Sequence, residues 1–257
     1  MGGLGNYTEL GLNQFLEVEE RFMRPKRLLA GVSLCLSVGV LGVGFAYAGE
    51  SAVMRLKSSA TVLTEIMATP DKGIPEDLLE KSECIVIVPG MKKAAFIVGG
   101  NYGRGFMLCR EPSGSGWSAP AGVKVEGGSV GFQIGGSETD VIMLIMNKGG
   151  AEKLLSSEFT LGADVSVAAG PVGRTSSAKT DLKMHAEILS YSRARGVFAG
   201  IALDGATLRP DDDSNAELYP TKPTNKEIVM GKTKAPAAAS QLIAELNRYS
   251  ARKQAQK

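Results

Sequence analysis

The chain has 257 residues, of which 44% are hydrophobic, and its 29 basic and 27 acidic side chains leave a net charge of +2. A balance this close to zero excludes a general electrostatic attraction to nucleic acid, so any anion binding must depend on local clusters of cations. One histidine and three cysteines are too few for the clustered ligands of a metal site, and we predict neither a metal nor another cofactor. The length allows one domain with appendages.

The N-terminal region has the pattern of a targeting segment. Basic residues at 24–27 precede an apolar run at 28–47, and Ala46-Tyr47-Ala48 fits the small-x-small pattern that signal peptidase cleaves. We therefore predict a signal peptide at 23–48. A single-pass membrane anchor is the alternative, because the run approaches the ~20 residues that span a bilayer.

The signal peptide sets the predicted boundaries of the rest of the chain. Residues 1–22 would be an extension upstream of a true initiator at Met23, residues 49–250 the folded domain, and residues 251–257 a basic tail. The mature protein would be exported, to a periplasmic or extracellular location.

A helix is predicted from Ser51 to Thr69. Its apolar residues recur at intervals of three and four, which places them on one face of the helix. They are Val53, Leu56, Ala60, Leu63 and Met67. The opposite face would carry Arg55, Lys57, Ser58 and Glu65. Such a helix can pack against its own domain or lie in a membrane interface, and the spacing alone leaves both readings open.

The stretch from Gly127 to Asn147 is predicted to be a central hairpin. Residues 129–134 alternate large apolar side chains with small or polar ones, which indicates a half-buried strand. Six apolar residues at 141–146 indicate a second strand that is covered on both faces. Gly135-Gly136-Ser137 between them has the composition of a turn.

Other short apolar segments, separated by turns rich in glycine and proline, predict further antiparallel strands. They lie at 84–88, 94–98, 106–110, 159–169, 184–192 and 197–203, with another strand beginning at Trp117. Short helices are predicted after Pro75 and at 148–157, and a closing helix has Leu242 and Leu246 on its apolar face. The predicted fold class is α+β: a single domain with a largely antiparallel, curved sheet and amphipathic helices at both termini.

Cys84 and Cys109 are the cysteines that follow the signal peptide. In an exported protein they can form a disulfide, closing a loop of about 26 residues and contributing roughly 3 kcal/mol in the chain-entropy model. Two buried free thiols are the alternative.

The most enzyme-like motif is Gly127-Gly128-Ser129-Val130-Gly131, which fits the G-x-S-x-G pattern of serine hydrolases. That pattern requires a sharp turn from a strand into a helix, whereas Ser129 lies within an alternating strand pattern. Asp164 and His185 follow in the order of a triad, but we predict that the protein is not an enzyme. The alternative is that the protein is an enzyme, a serine hydrolase that acts through Ser129.

A second set of candidate residues consists of cations beside glycine or proline at predicted turns. They are Lys92, Lys93, Arg104, Arg174, Arg193 and Arg195. If the sheet brings these turns to one end, their side chains would form a surface suited to phosphate groups. Ordinary surface charge is the alternative. The acidic run Asp211–Asp213 is predicted to be a solvated loop.

Five segments, taken in order, closely resemble the SYLF domain, also called DUF500. They are PGMKKAAFIVGGNYGRGFMLCR (89–110), WSAP (117–120), GGSVGFQIGGSETDVIML (127–144), FTLGADVSVAAGPVGR (159–174) and SYSRARGVFAGIALDG (190–205). The resemblance extends over most of residues 51–246.

The resemblance implies a lipid-binding module. Eukaryotic members of the family bind phosphoinositides and other acidic phospholipids, with the help of an N-terminal amphipathic helix and basic residues, and a yeast relative binds actin filaments. For an exported, bacterial-type protein, the expected partner is acidic phospholipid at an envelope membrane, with other envelope proteins as alternative partners. The expected headgroup contacts are Arg55, Lys57, Lys92, Lys93, Arg104, Arg174, Arg193 and Arg195. The expected membrane-inserting residues are Val53, Leu56, Leu63 and Met67.

Overall fold

The computed structural model describes most of the chain after residue 49. The described residues are 50–69, 73–95, 98–111, 116–130, 135–155, 158–172, 186–194, 197–200, 203, 205–231 and 233–250. They belong to one compact unit, Ala48–Lys257. The predicted signal peptide, the extension before it and the basic tail lie outside the described residues. Within the described ranges, no helix combines the length and the apolar character that crossing a bilayer requires.

In the described part of the chain, nine strands form one strongly curved sheet. The strands are β1 Cys84–Ala95, β2 Val98–Cys109, β3 Ala121–Val130, β4 Gly135–Ile145, β5 Phe159–Thr160, β6 Val167–Ala169, β7 Ile188–Ala194, β8 Val197–Gly200 and β9 Thr207–Pro210. Their order is β5-β9-β3-β2-β1-β4-β7-β6, and β8 also pairs with β7. All these pairings are antiparallel except that between β6 and β7. The prediction of an α+β fold with a largely antiparallel sheet is confirmed.

The helices lie before, between and after the strands. They are α1 Ala52–Met67, α2 Glu76–Lys81, α3 Lys148–Leu154, α4 Asp212–Leu218, α5 Asn225–Met230 and α6 Ser240–Tyr249, the last preceded by a 3-10 turn at Ala237–Ala239. The predicted terminal helices correspond to α1 and α6. Leu242 and Leu246 of α6 are buried, as its spacing indicated.

The predicted hairpin of β3 and β4 is wrong, because β2 and β1 lie between these two strands. The apolar run of β4 pairs with the apolar start of β1, from Val88 opposite Val141 to Cys84 opposite Ile145. This pairing places both runs at the centre of the sheet, where apolar clusters cover both faces. The predicted turn at 135–137 is part of β4.

The glycine-rich segment 99–105, predicted to be a connection, is the first half of β2. Its glycines permit a close approach to β1, which has a register shift between Ile87 and Lys92. A Cβ atom on Gly103 would lie 2.5 Å from Val88 Cγ1, and one on Gly105 would lie 2.1 Å from the carbonyl oxygen of Ile87. Glycine at these positions is therefore a requirement of the β1 bulge.

In the half of the sheet that contains Cys84, the central strands carry large buried side chains on both faces. On one face, here called the helix face, Ile87, Phe106 and Ile142 pack with apolar residues of α1 and α6. On the other face, Val86, Met107 and other residues form a second apolar cluster. The core is thus two layers, one on either side of the sheet.

Cys84 and Cys109 lie directly opposite each other at the end of the β1–β2 pair. Their sulfur atoms form a disulfide, with the two Cα atoms 4.0 Å apart, and both side chains are buried. The predicted pairing of these cysteines is therefore present in the structure.

Candidate functional site

Helix α1 is fixed at its N-terminus by side-chain acceptors. Ser51 Oγ accepts a hydrogen bond of 3.2 Å from the backbone N–H of Met54. Both carboxylate oxygens of Glu217 lie 2.9 Å from the backbone nitrogen of Ala52. Anionic acceptors at this end favour the helix through its dipole as well as by capping. The start of α1 is thereby tied to α4, which contains Glu217.

The apolar face of α1 packs against the sheet and α6. Leu56 and Leu63, two of the four residues expected to insert into a membrane, are 0% exposed, and Met67 is partly buried. The assignment of Leu56 and Leu63 to membrane insertion is therefore wrong for this structure, because their side chains already fill the core. Val53 is 37% exposed, and its neighbour Met54, which was not predicted, is 51% exposed.

Two of the expected headgroup contacts belong to a network around a buried carboxylate, here called the Asp211 network. Arg104 donates from Nε and Nη2 to the two oxygens of Asp211 at 2.6 and 2.7 Å. Lys124 Nζ lies 3.5 Å from Asp211 Oδ1. Arg55, expected on the polar face of α1, is buried instead and donates to Ser214 Oγ at 2.9 Å. Ser214 donates to Asp211 at 2.7 Å.

Asp211 caps α4 and is completely buried, so the prediction of a solvated loop at 211–213 is wrong for this residue. Burial opposes its ionisation, but hydrogen bonds from Arg104 and Ser214 hold the pKa of Asp211 below its ordinary value of 3.8. The hydrogen bond to Asp211 raises the pKa of Arg104, whereas burial lowers the pKa of Arg55. The buried charge of Asp211 is therefore compensated by the cations around it, which is the condition for a buried ion.

Arg193, another expected headgroup contact, joins three elements. Its guanidinium donates from Nε to Asp140 Oδ2 at 2.7 Å and also pairs with Glu65 on α1. The other oxygen of Asp140 accepts a hydrogen bond of 2.9 Å from the backbone N–H of Gly90. These contacts link α1 and β7 to the β1 bulge through β4.

Gly90, Asp140 and Arg193 form one wall of a cleft on the helix face, between α1 and the β1 bulge. Its volume is about 610 Å³, and its lining comprises Glu50, Met54, Lys57, Ser58, Thr61, Val62, Pro89, Gly90, Lys92, Glu138, Asp140 and Arg193. Lys57 from α1 and Lys92 from β1 thus line one cavity, although they are far apart in the sequence. A cavity of this size lies within the ~300–1,000 Å³ range of small-molecule sites.

Lys57 and Lys92 differ from the other predicted cations in their surroundings. Both are exposed, and neither forms an ion pair with the residues that the structure describes. Glu138 lies directly opposite Lys92 across the β1–β4 pair and, like Glu50, adds a negative charge to the cleft. The cleft therefore offers two unpaired ammonium groups beside two carboxylates that limit its positive potential.

Among the predicted cations that the structure describes, Arg55, Lys93 and Arg104 do not contribute to the cleft lining. Lys93 follows Lys92 in β1, so its side chain points to the opposite face of the sheet. Arg174 and Arg195 lie outside the described residues. The structure therefore brings Lys57, Lys92 and Arg193 together, and it assigns Arg55 and Arg104 to the Asp211 network.

Ser129 of the G-x-S-x-G motif lies within β3, where it pairs with Gly99 of β2. This position is not the strand-to-helix turn that exposes a serine nucleophile. Asp164 accepts a hydrogen bond of 2.7 Å from the backbone N–H of Thr160, and His185 lies outside the described residues. No group of three or more metal-ligating side chains occurs in the part of the chain that the structure describes.

Sequence reasoning missed the carboxylates of the cleft and of the Asp211 network. Glu138 and Asp140 alternate immediately before the apolar run of β4, a period-two signal that would have placed both on one face with Ile142. The pairing of Asp211 with Arg104 joins residues 107 positions apart and had no local signal. Met54 was missed because it lies beside the apolar stripe of α1 and not in it.

Comparison with known proteins identifies the family. A family model described as Ysc84, Las17-binding protein actin regulator, matches residues 126–249. An SH3 domain-containing protein of Schizosaccharomyces pombe is 36% identical over 177 residues, which cover 68% of this chain and 41% of that protein. The human SH3 domain-containing YSC84-like protein 1 is 32% identical over 200 residues, covering 76% of this chain and 58% of the relative.

A third relative is protein YSC84 of Saccharomyces cerevisiae, 31% identical over 178 residues, which cover 67% of this chain and 37% of the yeast protein. The chain thus spans only part of the length of these relatives. The family is described as an actin regulator rather than as an enzyme. The order of sequence motifs, the family model and the relatives agree, and the chain belongs to the Ysc84 family, which is defined by the SYLF domain.

Proposed function

We propose that this domain is a non-catalytic module that associates with membrane surfaces by holding acidic phospholipid headgroups in the cleft between α1 and the β1 bulge. One observation carries the proposal. Lys57 and Lys92, unpaired among the described residues, line the same cleft beside the exposed side chain of Met54. A phosphate group between two ammonium groups gains charge-assisted hydrogen bonds from both.

The two kinds of side chain make different contributions to affinity. Each lysine near an anionic surface is worth roughly 1 kcal/mol, an effect that decreases as salt concentration rises. Met54 and Val53 can add shallow apolar contact at about 25 cal/mol per Å² buried. The expected affinity is therefore modest and strongly dependent on the density of anionic lipid.

The apolar face of α1 remains in the protein during this association. Undocking the helix would expose Leu56, Leu63 and Ile66, all of them 0% exposed. Each such side chain costs about 1.5–3 kcal/mol to transfer to water, and the contacts of Arg55 and Glu217 would be lost as well. The headgroup cleft and its exposed rim thus replace the buried stripe as the lipid-binding surface.

Export to a periplasmic or extracellular location is part of the proposal. The signal peptide predicted at 23–48 supports it, as does the Cys84–Cys109 disulfide, because disulfides persist mainly in oxidising compartments. The lipid would then belong to an envelope membrane.

Liposome co-sedimentation tests the proposal with purified protein. Binding is expected with vesicles that contain phosphatidylglycerol and should decrease as salt is raised, whereas vesicles of pure phosphatidylcholine should leave the protein in the supernatant. Equal sedimentation with both vesicle types, or none with either at low salt, would contradict it.

A second candidate function is binding to a protein partner. The family description, Las17-binding protein actin regulator, favours it. Co-sedimentation with actin filaments, without lipid, measures this activity separately. Filament binding that persists when Lys57 and Lys92 are replaced would indicate a surface distinct from the cleft.

A further inference from the structure

A second depression lies on the helix face, on the other side of Lys92 from the cleft. It has a volume of about 440 Å³, and Tyr102, Glu126, Glu158, Thr207 and Arg209 are among its lining residues. None of these residues has a role in the proposed lipid site. Tyr102 is 46% exposed, which is unusual for a large aromatic side chain in a central strand.

The register of the sheet explains how these side chains meet. Tyr102 of β2 lies opposite Glu126 of β3, and Glu126 lies opposite Thr207 of β9. Directly opposed residues project from the same face of a sheet, so the three form one row across three strands. Arg209 follows Thr207 by two residues and therefore projects from that face too. Rigid strands, rather than loops, position all four.

The charges in the depression have both signs. Arg209 forms an ion pair with Glu126, and Glu158 adds a further carboxylate. The guanidinium of Arg209 disfavours a cationic ligand, and the carboxylate of Glu126 disfavours an anionic one. A neutral ligand with many hydroxyl groups fits both conditions, because a hydroxyl can donate to a carboxylate and accept from a guanidinium.

We propose that this depression binds a neutral saccharide. The exposed face of Tyr102 provides a flat apolar surface for the C–H groups of a sugar ring. The Glu126–Arg209 pair presents an acceptor and a planar set of donors side by side, which matches two neighbouring hydroxyl groups. Thr207 supplies a hydroxyl at the end of the row.

The saccharide site adjoins the lipid site, because Lys92 lies directly opposite Tyr102. Its lining contains the ion pair of Glu126 and Arg209, whereas the lipid cleft contributes unpaired ammonium groups. Binding of a neutral sugar should therefore be insensitive to salt, in contrast to vesicle binding. Substitution of Tyr102, assayed with disaccharide probes, tests the saccharide site, and substitution of Lys57 and Lys92, assayed with anionic vesicles, tests the lipid site.

Ligand-observed NMR titration of the purified protein tests the proposal. The probes are maltose, cellobiose and di-N-acetylchitobiose, with choline as a cationic probe and inorganic phosphate as an anionic one. At least one disaccharide should bind with a dissociation constant of the order of 1 mM, as expected for a shallow site with few contacts. This affinity should change little between low and high salt.

Substitutions of Tyr102 test where the saccharide binds. Tyr102→Ala should weaken disaccharide binding at least tenfold, whereas Tyr102→Phe, which keeps the ring, should stay within about twofold of the wild type. Met230→Ala, which removes an exposed apolar side chain on α5, is the matched control and should bind normally. The proposal is overturned if no disaccharide binds, if Tyr102→Ala binds as the wild type does, or if choline or phosphate binds at Tyr102 more tightly than every disaccharide.

Discussion

Two groups of cations on the helix face illustrate how similar residues acquire different roles. In the Asp211 network, Arg55 and Arg104 donate to buried oxygens, and the carboxylate they surround is completely inaccessible. In the cleft, Lys57 and Lys92 are exposed and have no ion-pair partner among the described residues. The first group fixes α1 and α4 to the sheet, and the second is available to an external anion. A cation's partners, rather than its sequence motif, decide between these roles.

The largest expected effect comes from breaking the buried group. Asp211→Asn keeps the size and the capping ability of the residue but leaves Arg104 and Lys124 without their buried counter-charge. We expect the free energy of unfolding to fall by about 3–5 kcal/mol, as for other broken buried ion pairs. Urea denaturation measures this decrease in the free energy of unfolding. Glu152→Gln, at an exposed carboxylate on α3 outside the network, is the control and should change stability by less than about 0.5 kcal/mol.

The packing of α1 gives the next largest effect. Leu63→Ala should lower the free energy of unfolding by about 2–5 kcal/mol, because it leaves a cavity in the core between α1 and the sheet. Met54→Ala, on the exposed side of the same helix, should lower stability by well under 1 kcal/mol. If the two variants unfold at the same urea concentration, the docked position of α1 is wrong.

The Asp211 network also predicts a dependence of stability on pH. Because the pKa of Asp211 is lowered in the folded protein, its contribution is fully present above the ordinary carboxylate value of 3.8. That contribution is lost as the pH falls through the lower, folded-state pKa. Thermal unfolding of the wild type should therefore shift to lower temperature below about pH 4. Asp211→Asn should lose part of this slope, and an unchanged slope would contradict the assignment.

The sequence was sufficient for the features that depend on local periodicity. The spacing of Leu56 and Leu63 predicted α1, and the apolar run at 141–146 predicted a strand covered on both faces. The sequence was insufficient for features that depend on contacts between residues far apart in the chain. The order β3-β2-β1-β4 depends on the long-range pairing of the apolar runs of β1 and β4, whereas the local turn composition of 135–137 indicated a hairpin.

The candidate site shows the same limit. Lys57 was predicted on the polar face of a helix and Lys92 at a turn, but only the fold places them in one cleft. Nothing in the local sequence distinguished them from Arg104, whose partner Asp211 lies 107 residues away. Electrostatic partners at this separation are set by tertiary structure, which single-sequence patterns do not report.

The smallest expected effect sharpens the description of the cleft. Glu138 lies opposite Lys92 and reduces the positive potential of the cleft. Glu138→Gln should therefore strengthen binding to vesicles that contain phosphatidylglycerol, by up to roughly 1 kcal/mol or about fivefold. Glu152→Gln, an exposed carboxylate on α3, is the control. Weaker binding by Glu138→Gln would mean that the carboxylate assists the ligand and that the cleft has been assigned the wrong chemistry.

The central claim is that Lys57 and Lys92 act together on an anionic surface, and the affinity of the double variant Lys57→Gln/Lys92→Gln for phosphatidylglycerol vesicles tests it most directly. Loss of two cations at roughly 1 kcal/mol each predicts about 30-fold weaker binding at low salt, with unchanged stability. The matched double variant Lys148→Gln/Lys226→Gln removes two exposed lysines on α3 and α5 and should bind within about threefold of the wild type. Equal losses in the two double variants would show that only overall charge matters, and that result would contradict the account.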